Sequence, residues 1–252
     1  MNGRNSKNAL LMSGFLFLLA AGDGWHARSV SPSEDRRTSP QSVLNQMYDQ
    51  YAKAYSYQDT GEVKVSDTQS GTPRVLQTIT FKTYFKRPQY FRFEFVVSPT
   101  SFFKPEKYAV GFDGKQGYLY SETEGYAKEE SLGLAIAGAA GISSGSANTI
   151  SSLLIEGVGG PILKVLNNIT IGPDEEVYGQ KCYVIKGEFP EGSVYQLWIG
   201  KGDYLLRRSR SSLTRDSAVQ ITEEDHEIIR LNEDVPLEIF DYKPSVGRRR
   251  VK

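Results

Sequence analysis

Residues 75–97, VLQTITFKTYFKRPQYFRFEFVV, contain two stretches in which apolar and polar side chains alternate. In the second stretch an aromatic residue stands at every other position from Phe91 to Phe95, with Arg92 and Glu94 between them. A period of two is typical of a β-strand with one face in an apolar environment and the other in water. The sequence therefore predicts two strands whose phenylalanines share one face.

Further stretches of this kind follow along the chain and are separated by turn residues. The clearest turn is Asp113-Gly114, which stands between apolar segments at 108–112 and 117–120 and predicts a hairpin. Later strands are predicted at residues 175–178, 181–189, 194–199, 204–211, 218–229 and 238–242. Because the connections are short and sequential, we predict one antiparallel, strongly curved sheet of roughly ten or eleven strands.

The first helix is predicted immediately before these strands. Ser39 followed by Pro40 is typical of a helix N-terminus, where Ser caps the helix and Pro occupies its first turn. Apolar residues then recur at spacings of three and four from Val43 to Tyr55, as on one face of an amphipathic helix.

A second region, residues 131–155, interrupts the alternating pattern and is called the insert below. It is apolar, rich in Gly, Ala and Ser, and nearly free of charge. Its longest nonpolar run, Leu132 to Ile142, is too short to cross a bilayer, which takes about 20 residues. We interpret the insert as a helical lid over an apolar concave face, which its glycines make weak enough to be displaced. Its small residues are expected to let this helix lie close to that face; they are Gly133, Ala135, Ala137, Gly138, Ala139 and Ala140.

The first 22 residues have the pattern of a secretory signal peptide. Arg4 and Lys7 precede an uncharged stretch from Ala9 to Ala21, and we predict cleavage near Gly22. An uncleaved anchor is the alternative. The remaining chain is divided into a flexible leader at 23–39, one domain at 40–245 and a basic tail at 246–252.

The composition argues against several function classes. The chain carries 30 basic and 30 acidic side chains, and removal of the signal leaves 28 against 30, a balance that disfavours nucleic acid as a partner. Cys182 is the only cysteine, and its apolar neighbours predict a buried structural thiol. Phosphate-binding, zinc and dinucleotide motifs are missing from the sequence, so we predict no cofactor and no metal.

The apolar face and the insert together form the candidate lipid-binding site. A soluble lipid carrier must enclose its acyl chain, because moving a 16-carbon chain from a membrane into water would cost roughly 12 kcal/mol. An ordinary filled core uses the same residue types, and composition alone favours the two alternatives equally. The candidate lining residues are Phe81, Phe85, Phe91, Phe93, Phe95, Leu132, Leu134, Ile136, Leu153, Leu154 and Trp198.

Three local patterns suggest other roles. Residues 141–145 fit the G-x-S-x-G pattern of a hydrolase with Ser143 as nucleophile, but that motif requires a preceding strand, so we expect a hinge here. His226 stands among carboxylates without metal-ligand spacing, which predicts a solvated edge. Phe102 and Phe103 are expected to pack over the mouth of the barrel, with contact to a membrane or partner as the alternative.

A series of short stretches in a fixed order extends from about residue 40 to residue 245. These are the opening helix with Tyr55-Ser56-Tyr57, then 85–95 (FKRPQYFRFEF), 112–115 (FDGK), 179–183 (GQKCY), 197–201 (LWIGK), 204–208 (YLLRR), and Asn232, Val235-Pro236, Phe240, Tyr242 and Pro244. In these stretches and their order the chain resembles the periplasmic lipoprotein carriers of the LolA/LolB type, and especially their outer-membrane lipoprotein-sorting relatives.

This resemblance implies an α+β protein, mostly antiparallel β, whose single sheet forms an unclosed barrel with helices in its opening and acyl chains on its concave side. We therefore predict an exported, monomeric, non-enzymatic protein that carries an acyl lipid or lipoprotein through the periplasm between donor and acceptor proteins of the membranes. Two alternatives stay open: a lipid-binding sensor of the same fold, and a serine hydrolase that uses Ser143.

Overall fold

The computed structural model describes residues 38–68, 72–101, 103–158, 165–215 and 218–242, within which the chain forms thirteen β-strands and four α-helices. The strands are β1 (Ser56–Asp67), β2 (Arg74–Lys86), β3 (Tyr90–Pro99), β4 (Glu106–Phe112), β5 (Gly117–Ser121), β6 (Gly125–Glu129), β7 (Asn167–Ile171), β8 (Glu175–Val177), β9 (Gln180–Glu188), β10 (Val194–Gly200), β11 (Leu206–Arg215), β12 (Ala218–His226) and β13 (Arg230–Leu231). The helices are α1 (Pro40–Lys53), α2 (Leu132–Ile142), α3 (Ser146–Thr149) and α4 (Ser151–Leu154).

All strands belong to one antiparallel sheet in the order β6-β5-β4-β3-β2-β1-β12-β11-β10-β9-β7. Two short strands lie beside this path, since β13 pairs with β1 and β8 pairs with β9. In the described ranges β6 and β7 do not pair with each other, so the sheet is unclosed. The mostly antiparallel, unclosed architecture with an N-terminal helix and an inserted helical segment confirms the predicted fold class.

The register of β2 and β3 places the phenylalanines on one face, as their alternation predicted. Phe81 pairs with Phe95 and Phe85 pairs with Phe91, and all four side chains are buried. The four helices pack against the same face, because their buried side chains join these phenylalanines in one apolar cluster. We call this side of the sheet the inner face and the opposite side the outer face.

The first helix begins where the sequence predicted. The Oγ of Ser39 accepts a hydrogen bond from the backbone N–H of Ser42 at 3.1 Å, and Pro40 occupies the first helical position. The buried side of α1, which includes Met47 and Tyr51, closes one end of the inner face, where α1 contacts α4 and β7.

The long strand β1 lies at the centre of the sheet, although no strand was predicted there. Gly61 explains why the pattern was hidden: a Cβ at this position would stand 2.3 Å from the ring of Phe81 and 2.0 Å from the carbonyl oxygen of Asp225. The inner face of β1 therefore carries no side chain at this point, and the apolar alternation is broken. Three shorter strands, β6, β7 and β13, were also not predicted.

One predicted strand was wrong. Residues 238–242 do not form a strand; instead Leu237–Ile239 form a 3₁₀ turn, in which the backbone N–H of Phe240 donates to the carbonyl of Leu237 at 3.0 Å. The rings of Phe240 and Tyr242 then pack against aromatic residues of the sheet, Tyr90 and Tyr118.

Several predictions concern residues outside the described ranges. These are the signal peptide at 1–22, the leader at 23–39 apart from its last two residues, and the basic tail at 246–252. Within the residues that the structure describes, none of the helices is both long and apolar enough to span a bilayer.

Candidate functional site

The inner face brings most of the predicted lining residues together. The insert crosses this face as α2, α3 and α4, with α2 lying against β4, β5 and β6. The candidates that share one buried cluster are Phe81, Phe85, Phe91, Phe93, Phe95, Leu132, Ile136, Leu153 and Leu154. Their grouping on one face is observed, and their role in lipid binding stays a prediction.

Two predicted residues lie elsewhere. Leu134, on α2, is 53% exposed and points away from the cluster. Trp198 lies on the outer face, where it joins Cys182, Val184 and Val177 in a separate small cluster, and its Nε1 donates to Glu175 at 2.8 Å. Trp198 faces outward because its neighbour on β10, Leu197, faces inward. Residues 197–199 are all apolar, so the sequence does not show which of them face the core.

The centre of the inner face is filled by its own aromatic side chains. The ring centroids of Phe81 and Phe93 are 5.4 Å apart, those of Phe93 and Phe95 are 5.3 Å apart, and Phe95 stacks on Tyr108 at 4.9 Å. Of the two alternatives left open by composition, this conformation shows the filled core beneath the insert rather than a hollow.

Space is found around the insert instead. A cavity of about 230 Å³ lies between α2 and strands β4 to β6; its lining combines Tyr108, Leu119 and Ile142 with the carboxylates Glu106, Glu124 and Glu129. A second, of about 310 Å³, separates α1 from the end of the insert. A third, of about 80 Å³, lies between the insert and strands β10 to β12. A further cavity of about 500 Å³ is on the outer face, where Lys82, Glu94 and other polar residues line it.

The glycines of α2 are not needed for close packing. A Cβ on Gly141 would meet nothing within 4 Å, one on Gly133 would approach only the Oγ of Ser131 at 3.9 Å, and one on Gly138 would make an ordinary contact with Leu119 at 3.5 Å. The expectation of close packing is therefore wrong for the glycines, whereas the small side chains of Ala135 and Ala139 are fully buried against the sheet. What the glycines do is lower the intrinsic stability of the helix.

Two side-chain hydrogen bonds join the insert to the sheet. The Nε2 of Gln77 on β2 donates to the Oγ of Ser144 at 2.8 Å, and the Oγ1 of Thr149 donates to the Oε2 of Glu224 on β12 at 2.7 Å. Apolar contact provides the rest of the attachment, and α2 carries no charged residue.

A buried polar group lies under the insert, and sequence reasoning missed it. His226 is fully buried, and its Nδ1 is 2.8 Å from the Oδ2 of Asp59, which also accepts from the hydroxyl of Tyr57 at 2.7 Å. The Nε2 of His226 is 3.6 Å from the Oε1 of Glu224. The predicted solvated edge at His226 is therefore wrong: β12 alternates, so Glu224 and His226 face inward, whereas Asp225 pairs with Arg208 on the outer face.

Burial shifts the protonation of this group. Loss of solvation raises the pKa of the Glu224 carboxyl to about 7, and the neighbouring His226 only partly opposes that effect. For His226, burial alone would lower the pKa, but the hydrogen bond to Asp59 and the charges of Glu224 and Asp59 raise it above its ordinary value. The only signal in the sequence was the acidic stretch around His226, and it favoured solvent exposure.

Ser143 does not occupy the elbow of a hydrolase. It stands between α2 and α3 rather than after a strand, and its side chain is fully buried. Its Oγ accepts from the backbone N–H of Ala147 at 3.1 Å and so caps the next helical turn. The adjacent Ser144 and Gly145 have φ values of 54° and 94°, which fits the predicted hinge between two short helices.

Two other predictions can be compared with the structure. Phe103 is 76% exposed and does not pack over the mouth of the barrel, and Phe102 lies outside the described residues. Cys182 is buried as predicted, and that burial raises the pKa of its thiol. Among the described residues there is no group of three or more His, Cys, Asp or Glu side chains that could hold a metal ion.

The chain is similar in structure to several solved proteins at low sequence identity. Mycobacterium tuberculosis lipoprotein LppX has 15% identity and a TM-score of 0.45, and the match covers 79% of this chain and 97% of LppX. The Pseudomonas aeruginosa MucA/MucB complex has 10% identity and a TM-score of 0.43, with 81% of this chain and 61% of that chain covered. A LolA superfamily protein from Nitrosomonas europaea has 10% identity and a TM-score of 0.32, with 80% and 97% covered.

The sequence itself matches one protein family. No curated protein has a significant match to the chain. The family model described as "Predicted periplasmic protein (DUF2092)" matches residues 40–252, which is most of the chain and contains every described strand and helix. That description confirms the predicted periplasmic localisation. The chain belongs to the DUF2092 family of periplasmic proteins.

Proposed function

We propose that the protein binds an acyl lipid or an acylated protein on its inner face and carries it through the periplasm without chemical conversion. The acyl chain enters between the aromatic side chains of the sheet and the insert, which moves outward to admit it. The observation that carries this proposal is the position of the cavities: they border the insert on three sides, while strands β2 and β3 beneath it carry a cluster of buried phenylalanines.

The insert is built to move more easily than the sheet. Its helices α3 and α4 are one turn each, and glycines with positive φ stand in its middle, at Gly145, and two residues beyond its end, at Gly157. A Cβ on either glycine would meet nothing within 4 Å, so the surrounding structure leaves room for rotation at both. Short helices that depend on tertiary contact are at the low end of local stability.

The energetics favour exchange of the insert for a ligand. Displacement of α2 uncovers buried apolar side chains such as Leu132 and Ile136, and an incoming acyl chain covers the same surface again. The gain for the ligand is about 0.8 kcal/mol per buried methylene. Because cavities already surround the insert, a chain can begin to enter before the insert has left completely.

Neighbouring residues on β5 provide a test. Leu119 lines the 230 Å³ cavity on the inner face, whereas Tyr120 lines the cavity on the outer face. Leu119→Glu places a charge where the acyl chain would lie, and we expect it to lower the affinity for a fluorescent 16-carbon acyl probe at least tenfold. Tyr120→Glu, the matched control, should leave the affinity unchanged.

The probe should be titrated into both variants and the wild-type protein, with thermal melting used to confirm that each is folded. Equal affinities for the Leu119→Glu and Tyr120→Glu proteins would contradict binding on the inner face. Failure of the wild-type protein to bind the probe at all would contradict the proposed function.

A further inference from the structure

The 80 Å³ cavity between the insert and strands β10 to β12, called the polar cavity below, differs in chemistry from the phenylalanine cluster on β2 and β3. Two leucines, Leu197 and Leu206, form its apolar wall. Most of its remaining lining carries hydroxyl groups, from Ser144, Thr149 and Ser152 in the insert and from Ser209, Ser211 and Thr222 in the sheet. Glu224 is the only charged side chain among the residues that line it.

The carboxyl group of Glu224 has capacity for a further hydrogen bond. Glu224 is 5% exposed, and its Oε2 accepts from Thr149. Its Oε1 has no hydrogen-bond partner, and neither has the Nε2 of His226, which is 3.6 Å away. A buried polar atom that lacks a partner costs about 1–3 kcal/mol, and more if it is charged, so a donor supplied by a ligand would relieve that cost.

The polar cavity adjoins the apolar part of the face. Thr149 lines the cavity, while Ile150 and Leu153, which follow it in the insert, belong to the buried apolar cluster. One molecule with a polar end and a hydrocarbon chain could therefore contact both regions at once.

We propose that the polar cavity binds the polar end of the ligand, and that this end is a hydrogen-bond donor such as a hydroxyl or amino group, held by Glu224. This inference rests on the proposed function, since it assigns the headgroup of the same acyl ligand. A free fatty acid fits poorly, because its carboxylate would face the Glu224 carboxyl with no cation from the cavity lining between them.

Probes with one tail and different ends test the inference. Monopalmitoylglycerol, palmitate and methyl palmitate share a 16-carbon acyl chain but present hydroxyl groups, a carboxylate and a methyl ester. Their affinities should be measured at pH 8 by displacement of the fluorescent acyl probe. For the wild-type protein we expect monopalmitoylglycerol to bind about tenfold more tightly than either other probe, the value of one charge-assisted hydrogen bond.

The variants separate the role of Glu224 from general effects. Glu224→Gln removes the charge with little change of shape and should reduce the preference over palmitate to within about threefold. Glu223→Gln is the control, because Glu223 lies on the same strand but is directed to the outer face near Arg208. Ser211→Leu, which fills the polar cavity, should weaken binding of monopalmitoylglycerol without affecting that of methyl palmitate.

The outcomes distinguish this inference from the function on which it rests. Tight binding of all three probes with no preference, unchanged in Glu224→Gln and Ser211→Leu, would overturn the assignment of the headgroup and leave the lipid-binding function standing. Failure of every probe to bind the wild-type protein would overturn both.

Discussion

The inner face consists of two halves with different chemistry. On β2, β3 and β4, the aromatic half, inward positions carry Phe81, Phe93, Phe95 and Tyr108, and the rings fill the space beneath the insert. On β11 and β12, the hydroxyl half, corresponding positions carry Ser209, Ser211, Thr222 and Glu224 and leave the polar cavity. One sheet thus presents hydrocarbon-like and hydrogen-bonding surfaces side by side.

The boundary between the halves follows the strand register. In one row across the sheet, Val97 pairs with Ile79 and Ile79 with Val63, all apolar. The row then continues through Val63 to Glu224, and from Glu224 to Ser209. The change from apolar to polar therefore occurs at the pairing of β1 with β12, which brings together residues far apart in the sequence. The pattern of residues within a single strand cannot show such a boundary, because it does not identify the neighbouring strand.

The largest predicted effect is a difference in how much a substitution in each half changes the free energy of unfolding. Phe93→Ala deletes a ring from the filled aromatic half and should lower the free energy of unfolding by about 3–5 kcal/mol. Ser211→Ala, beside an existing cavity in the hydroxyl half, should change it by less than about 1 kcal/mol. Urea unfolding of the two variants checks this, and a change below 1 kcal/mol for Phe93→Ala would show that the aromatic half is not packed as described.

A smaller effect is expected from pH and is confined to the hydroxyl half. The pKa of Glu224 is raised from 4.5 to about 7, so between these pH values the folded protein holds a proton that the unfolded chain releases. The free energy of unfolding therefore decreases as the pH rises through this interval. The raised pKa of His226 acts in the same direction at pH values above its ordinary one. The melting temperature should therefore fall between pH 5 and pH 8.

Glu224→Gln should remove much of this pH dependence, on the order of 2 kcal/mol of unfolding free energy. Melting curves of wild type and variant across the pH range measure the difference. Identical slopes for the two proteins would mean that Glu224 does not titrate in this interval.

The smallest effect concerns the insert above the aromatic half. Gly133→Ala and Gly141→Ala place methyl groups in open space and should each stabilise α2 by about 1 kcal/mol. A more stable insert should open less often, so the association of the acyl probe in stopped-flow measurements should become about fivefold slower, as 1 kcal/mol implies. Gly61→Ala is a control with the opposite expected outcome: the added Cβ would clash with Phe81, so this substitution should destabilise the sheet.

Faster or unchanged association in the Gly133→Ala and Gly141→Ala proteins would show that opening of α2 does not limit ligand entry. In that case the cavity between α1 and the end of the insert would be the better candidate for the entrance.

Local pattern was sufficient to predict the aromatic half, but the hydroxyl half could not be predicted. The alternation from Phe91 to Phe95 is set within one strand. It correctly indicated that these phenylalanines share one face with those of β2, and that they are buried. His226 was assigned to solvent because its sequence neighbours are charged. It is buried because Asp59, 167 residues away, approaches it through the pairing of β1 with β12.

Two further misassignments have similar causes. Trp198 lies in a run that is apolar on both faces, so the sequence contains no alternation from which its direction could be determined. The glycines of α2 suggested close packing, but their surroundings are open, and this depends on how α2 lies against strands that are distant in sequence. Contacts between distant segments, rather than local propensity, decided each of these positions.

Native mass spectrometry of the protein purified from its own host's periplasm tests most directly whether the inner face accepts acyl chains. We predict an additional mass that dissociates as an acyl-containing lipid, and a Leu119→Glu protein prepared identically should lack it. Wild-type protein that is recovered consistently at its polypeptide mass, and that takes up no acyl lipid when this is supplied, would contradict the account.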